Sequence, residues 1–242
     1  MKLSDYISFK IDRLPKGYVF TYADFLTKVN EKEAIIKALN RMASTGKIVK
    51  LSKGKFYKPQ SSFYGNLQPE RYQIVKDLLE ENGKITGYLT GYSIYNQLGL
   101  TSQVSNTIQI GKNEKRPSFK RERYTISFIK QKNTITKENI PLLQILDAIR
   151  YVKKIPDTTN SEAVNKLMTI IATLEDGDIS SLSRLALKYP PATRALTGAI
   201  LEELGKTNST RLLKKSLNPI TSYKIPGISD IISSTQNWNI KE

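Results

Sequence analysis

GKIVKLSKGKFYKP, residues 46–59, sets five lysines among apolar and aromatic residues in a piece with strand propensity. Gly54 supplies the positive φ of a tight turn, so the stretch divides into IVKL, a turn SKGK, and KFYK. Taken alone it describes either a solvated edge hairpin or a charged finger laid along a nucleic-acid backbone. The residues before it decide between the two. Ile7, Ile11 and Leu14 fall at helical spacing across 4–14, with Ser4 placed to cap and Pro15 and Gly17 to stop. GYVF (17–20) is a short extended piece. Thr21 and Asp24 have capping-box spacing ahead of a helix TYADFLTKV (21–29), and Asn30 and Glu33 repeat it ahead of EKEAIIKALNRMAST (31–45). Gly46 closes that last helix.

Helix, short strand, helix, turn, helix and basic hairpin is the order of a winged helix-turn-helix. The third helix has a buried stripe of Ile35, Leu39 and Met42 and a wet one of Lys37, Asn40, Arg41 and Ser44. The wet stripe is expected to enter a major groove, where Asn suits adenine and Arg suits guanine. The hairpin becomes the wing, with Lys47, Lys50, Lys53, Lys55 and Lys58 expected to meet phosphates, which position without reading sequence.

Charge agrees with that assignment. The chain has 242 residues, and 38 Lys and Arg outweigh 22 Asp and Glu, for a net +16. Residues 1–66 hold 13 basic against 5 acidic residues, net +8, and residues 111–137 hold 9 against 2, net +7. The remaining stretches are close to neutral. Two concentrated blocks favour an acidic partner, nucleic acid first. The second block contains KNEKRPSFKRE (112–122) and the following Arg123, where Lys112, Lys115, Arg116, Lys120, Arg121 and Arg123 form either a second phosphate contact or a plain mobile loop.

The chain has no histidine and no cysteine. That excludes Ser-His-Asp and Cys-His catalysis and removes the ligands from which structural zinc sites are mainly built. A metal-dependent nuclease needs acids followed by (D/E)-x-K on a strand. Between Asn82 and Lys137 the acids are Glu114 and Glu122, followed two residues on by Arg116 and Tyr124. Glu175, Asp176 and Asp178 read as favourable charge at a helix N-terminus. No phosphate-cradling glycine motif is present. We therefore expect no enzyme activity, no cofactor and no metal. The N-terminal segment, with acids at Asp5 and Asp12, does not read as a signal peptide, and no apolar run reaches membrane-spanning length. A cytoplasmic location without membrane contact is expected.

Beyond the wing, SSFYGNLQPERY (61–72) reads as a polar linker and 69–82 as a helix with Ile74, Val75, Leu78 and Leu79 inward. GKITGYLTGYSIYNQLGL (83–100) suggests a compact turn and a short helix from Ser93 to Leu98. NTIQIG (106–111) and RYTISFIKQ (123–131) alternate as strands. From Ile140 to about 217 five helices follow: LLQILDAIRYVKKIP, SEAVNKLMTIIATLE capped at Ser161 or Asn160, DISSLSRLALKYP, ATRALTGAILEELG and STRLLKKSL. The tail is irregular, with Ile and Trp residues able to pack on the body. The expected fold class is α+β, mainly helical. An N-terminal winged helix (1–66) precedes a second domain (67–242), itself a mixed α/β region (67–137) and a helical region (138–242).

Three stretches together carry a family resemblance: the winged helix ending in GKIVKLSKGKFYKP, GYLTGYSIYNQLGLTSQVSNTIQIG, and PLLQILDAIRYVKKIPD. Over roughly residues 1–205 the chain resembles the AbiEi-type antitoxins of bacterial type IV toxin–antitoxin systems, which act in abortive infection by phage. The resemblance implies a winged helix that binds inverted repeats in the protein's own promoter double-stranded DNA as a transcriptional repressor, with self-association on the repeats. It also implies a C-terminal region needed to counter a cognate nucleotidyltransferase-like toxin, with no stable complex required. The DNA-binding face it implies is the third-helix and wing set named above. A module that docks a toxin directly, or a ligand-sensing winged-helix regulator, are the alternatives.

Overall fold

The computed structural model describes residues 2–27, 31–63, 65–81 and 83–242. The chain is mixed α+β and falls into two compact units. The first comprises Met1–Asp77 with Lys120–Arg123, and the second Leu78–Phe119 with Tyr124–Glu242. The first unit therefore runs past residue 66, where the sequence suggested a boundary, and takes in a short piece from much later in the chain.

In the first unit α1 (Leu3–Arg13) is followed by β1 (Val19–Thr21), α2 (Lys32–Ser44), β2 (Val49–Ser52) and β3 (Lys55–Tyr57). The helix α1 starts one residue before Ser4, with Lys2 at the cap position, and Ser4 instead donates to Asp5. The strands form an antiparallel sheet in the order β1-β3-β2. A bulge between Lys50 and Ser52 leaves Leu51 turned inward and buried. Gly54 takes φ +75° at the turn and Gly46 φ +78° after α2, as their places in the sequence require.

The expected helix over 21–29 is shorter. Thr21 and Asp24 do close a capping box, with the Thr21 N–H donating to Asp24 Oδ2 at 2.7 Å. The box heads a single 3₁₀ turn, Tyr22–Phe25, because Leu26 already has extended backbone. That turn buries Phe25 edge-on against Phe20, with ring centroids 5.4 Å apart. The proposed Asn30 cap lies outside the described residues. Ile7 and Ile11 of α1, Ile35, Leu39 and Met42 of α2, and Phe20, Ile48 and Phe56 complete one core. The expected linker is a small exposed hairpin, β4 (Gln60–Ser62) with β5 (Gly65–Leu67). α3 (Arg71–Leu79) follows, shorter than the expected 69–82 because Glu80 turns into a strand. Gln73 of α3 accepts from the Val19 N–H at 3.2 Å, tying α3 to β1.

The second unit opens with the short pair β6 (Glu80–Glu81) and β7 (Lys84–Ile85). Then come β8 (Gly87–Thr90), β9 (Thr107–Lys112) and β11 (Tyr124–Lys130), with β9 between β8 and β11, while β10 (Phe119–Arg121) is made mostly of first-unit residues. β9 and β11 are parallel, pairing Ile108 with Ile126 and Ile110 with Phe128. β8 was not anticipated. Its GYLT had the look of a turn, but Tyr88 lies flat over Gly111, where a Cβ would sit 2.4 Å from the ring. The short helix expected at 93–98 is a 3₁₀ turn over Gly91–Ser93 with further turns to Gly99.

Helices α4 (Asn139–Arg150), α5 (Asn160–Ala172), α6 (Asp176–Ala186), α7 (Pro191–Glu203) and α8 (Arg211–Lys215) pack around one core. Three of the five fall close to their expected spans; α4 instead ends at Arg150, ahead of a 3₁₀ turn, and α8 is reduced to a turn and a half. The α5 cap is Thr159 in a capping box with Glu162, one residue earlier than expected. The tail does pack. Trp238 is fully buried, and β12 (Tyr223–Lys224) pairs in parallel with β13 (Ile240–Lys241).

A buried polar network runs through this core. Asp147 of α4 is fully buried. Tyr88 and Thr90 hydroxyls donate to its Oδ2, each at 2.7 Å, and the Tyr189 hydroxyl to its Oδ1 at 2.9 Å. Gln131 Nε2 in turn donates to both tyrosine hydroxyls at 2.8 Å. Its Oε1 accepts from Asn133, whose amide also reaches the Leu185 carbonyl. Burial pushes the Asp147 carboxyl up, against three hydroxyl donors that favour its charged form. Burial likewise raises Tyr88 and Tyr189, which stay protonated donors. Sheet, α4 and the α6–α7 turn are thus fixed by one chain of bonds with a single direction.

Candidate nucleic-acid interface

α2 forms because the Ile35/Leu39/Met42 stripe must be covered, and covering it puts the opposite face outward. Lys32 at its start lies over the Tyr22 ring at 5.2 Å, fixing the helix against the preceding turn. Lys37, Asn40, Arg41 and Ser44 are all exposed. The Ser44 hydroxyl donates to the Arg41 carbonyl at 2.8 Å, so it remains an acceptor toward anything outside. The side chains of Lys37, Asn40 and Arg41 have no ion pair or hydrogen bond among the described residues.

The wing lysines divide into two groups. Lys50 and Lys53 are exposed and unpaired among the described residues. The other three are engaged by the protein. Lys47 pairs with Asp12 at 3.0 Å and donates to Ser8. Lys58 donates to the carbonyls of Asp12 at 2.7 Å and Leu14 at 2.8 Å, closing the C-terminus of α1. Lys55 forms an ion pair with Asp77 of α3. Burial lowers the Lys55 pKa, with Asp77 opposing the shift. Lys50 and Lys53 are thus the uncommitted cations of the wing, while Lys47, Lys55 and Lys58 hold the hairpin in place.

The second basic block divides likewise. Lys112 is buried and donates to the Leu78 carbonyl at 3.0 Å. Arg121, in the first unit, grips Asp77 with both terminal nitrogens, at 2.8 and 3.1 Å, and the Ile74 carbonyl at 2.7 Å. Lys120 and Arg123 beside it are exposed, as are Lys115 and Arg116 in the second unit. Sequence reasoning had no place for Asp77, which collects both Lys55 and Arg121. Burial pushes its carboxyl up, but the two cations outweigh that and hold it below the usual carboxylate range. Its only sequence signal is a lone acid on the polar side of α3.

These elements define a winged helix followed, among the described residues, by a unit with the sheet β11-β9-β8 and five helices. The chain belongs to the family of unknown function DUF6088, which matches residues 6–187. Among solved structures, the crystal structure of the RV2827C protein from Mycobacterium tuberculosis is similar at 13% identity, covering 98% of this chain and 90% of that one with a TM-score of 0.61. At that identity the likeness concerns fold alone. No curated protein matches the chain. Among the described residues, no helix is long and apolar enough to cross a membrane.

Proposed function

We propose that this protein is a cytoplasmic DNA-binding antitoxin that represses its own promoter. The observation that carries the DNA-binding half is the outer face of α2, where Lys37, Asn40 and Arg41 stand exposed and uncommitted, followed by Lys50 and Lys53 on the wing. Asn40 and Arg41 are donors suited to base edges, and the lysines are anchors for phosphates. Two copies on inverted repeats would double the footprint. The antitoxin half rests on the resemblance of residues 1–205 to AbiEi-type antitoxins, and its target is a nucleotidyltransferase-like toxin.

A mobility-shift titration on the DNA upstream of the gene, against a scrambled duplex of equal length, tests the first half. Stepwise, sequence-dependent binding is expected. Arg41→Ala should weaken binding to the specific duplex by about 1–3 kcal/mol while leaving random DNA less affected. Equal affinity for both duplexes refutes the repressor reading. Co-expression with the neighbouring gene tests the second half: growth rescue supports it, and a co-purifying complex would replace it with direct docking.

A further inference from the structure

The second unit contains a cavity of about 680 Å³ whose charged lining is all of one sign. Lys130, Lys132, Arg150, Lys188 and Arg194 face it, and no Asp or Glu does. None of the five forms an ion pair with a carboxylate among the described residues. Like charges brought to one concavity repel, and the stability of the fold gains nothing from the arrangement.

Their placement is not left to flexible loops. Lys130 and Lys132 flank Gln131, Lys188 precedes Tyr189, and Arg150 lies three residues, about one helical turn, after Asp147. Gln131, Tyr189 and Asp147 belong to the buried hydrogen-bonded network, and Gln131 and Tyr189 also line the cavity. The network thus presets the backbone of four of the five cations. Arg150 also stacks over the Tyr151 ring at 5.0 Å. Arg194 is held by a bond from Nη1 to the Ser216 carbonyl at 2.8 Å, while its buried Nε has no partner. The 13-residue helix α7 begins in the wall at Pro191, without a side-chain cap, so the partial positive charge of its first turn lies at the cavity wall.

The geometry points to a binding site for a phosphate-bearing small ligand of nucleotide size in this cavity. The volume falls within the range of small-molecule pockets. Guanidinium groups suit phosphate oxygens bidentately, lysines add charge, and the Pro190–Pro191 wall offers an apolar surface to the less polar part of a ligand. The inference does not depend on whether the winged helix binds DNA.

Titration calorimetry on the full chain at fixed ionic strength, with pyrophosphate, ATP and GTP as probes and sulfate as the control anion, tests it. Saturable one-site binding is expected. Affinity should fall about tenfold or more in Arg150→Ala and in Lys188→Ala, whose side chain is exposed and whose loss spares the core. Lys166→Ala, on the exposed side of α5, should bind as the parent does. Pyrophosphate binding as tightly as the nucleotides assigns the site to phosphate alone, and tighter nucleotide binding assigns it to the nucleotide. Absence of saturable binding, or weak binding shared by sulfate and unchanged by both pocket variants, overturns the inference. So does a loss of duplex affinity in Arg150→Ala without binding of any small anion, which would give the cavity to a nucleic-acid face.

Discussion

Gly198→Ala inverts the usual rule for helices. Gly198 sits in the middle of α7, where glycine costs about 1 kcal/mol relative to alanine. On propensity alone the substitution should stabilise. A Cβ there, however, would lie 2.1 Å from two atoms of the Trp238 six-membered ring and 2.6 Å from a third. Ordinary carbon contacts begin near 3.5 Å, so the ring would have to retreat by more than about 1 Å. It has little room to do so. Trp238 is fully buried, and its indole N–H is bound to Glu202 Oε2 at 2.8 Å. Overpacking costs about 1–3 kcal/mol, and a weakened bond to a charged acceptor about 1.5 kcal/mol or more. Against the propensity gain, the net expectation is a loss of roughly 2–4 kcal/mol. Trp238 is the single tryptophan, so urea denaturation followed by its fluorescence reads the tail directly. In a Trp238→Leu background, followed by circular dichroism, the clash is gone and Gly198→Ala should become stabilising by up to about 1 kcal/mol. A neutral or stabilising Gly198→Ala in the parent chain would refute the packing argument.

Asp147→Ala leaves three buried hydroxyls without their acceptor and should cost at least about 3 kcal/mol in urea denaturation, at roughly 1–3 kcal/mol for each unsatisfied group; a loss under about 1 kcal/mol would mean that the network closes on itself. Asp77 has a folded pKa below its unfolded value, so its contribution is present above the unfolded pKa and fades as pH falls through the folded one. Stability measured from pH 7 down to pH 2 should therefore fall less steeply in Asp77→Asn than in the parent, and parallel curves would count against the pairing. Replacing Lys50 and Lys53 together should lower the slope of log affinity against log salt on duplex DNA by about 2, whereas Lys58→Ala should leave that slope unchanged and reduce thermal stability instead. Equal slope changes in the two variants would show that the wing lysines are interchangeable.

The winged helix was legible because its decisive residues act locally. Gly46 and Gly54 need positive φ whatever surrounds them, and the stripe of α2 repeats within the helix itself. The helical half was legible for the same reason, through apolar period and Pro and Gly punctuation. The roles of individual lysines were not. Nothing near Lys58 or Lys47 announces that each will meet Asp12, 46 and 35 residues earlier. β8 was hidden because its partner strand β9 lies about twenty residues further along the chain, with Gly111 making room for the Tyr88 ring across the pair. The five cations of the cavity are spread from residue 130 to 194, and only the packing of α4, α6 and α7 with the end of β11 brings them to one space.

The first unit is assembled from two separate stretches of chain, with Lys120–Arg123 inserted among residues 1–77. A fragment ending at Asp77 would lack Arg121 and leave that carboxylate with Lys55 as its one remaining cation. Exchange of this winged helix between proteins by a single crossover would lose the same bond. The module is portable in outline but not as a cassette: grafting it requires three junctions, and the last two lie more than forty residues downstream of the first.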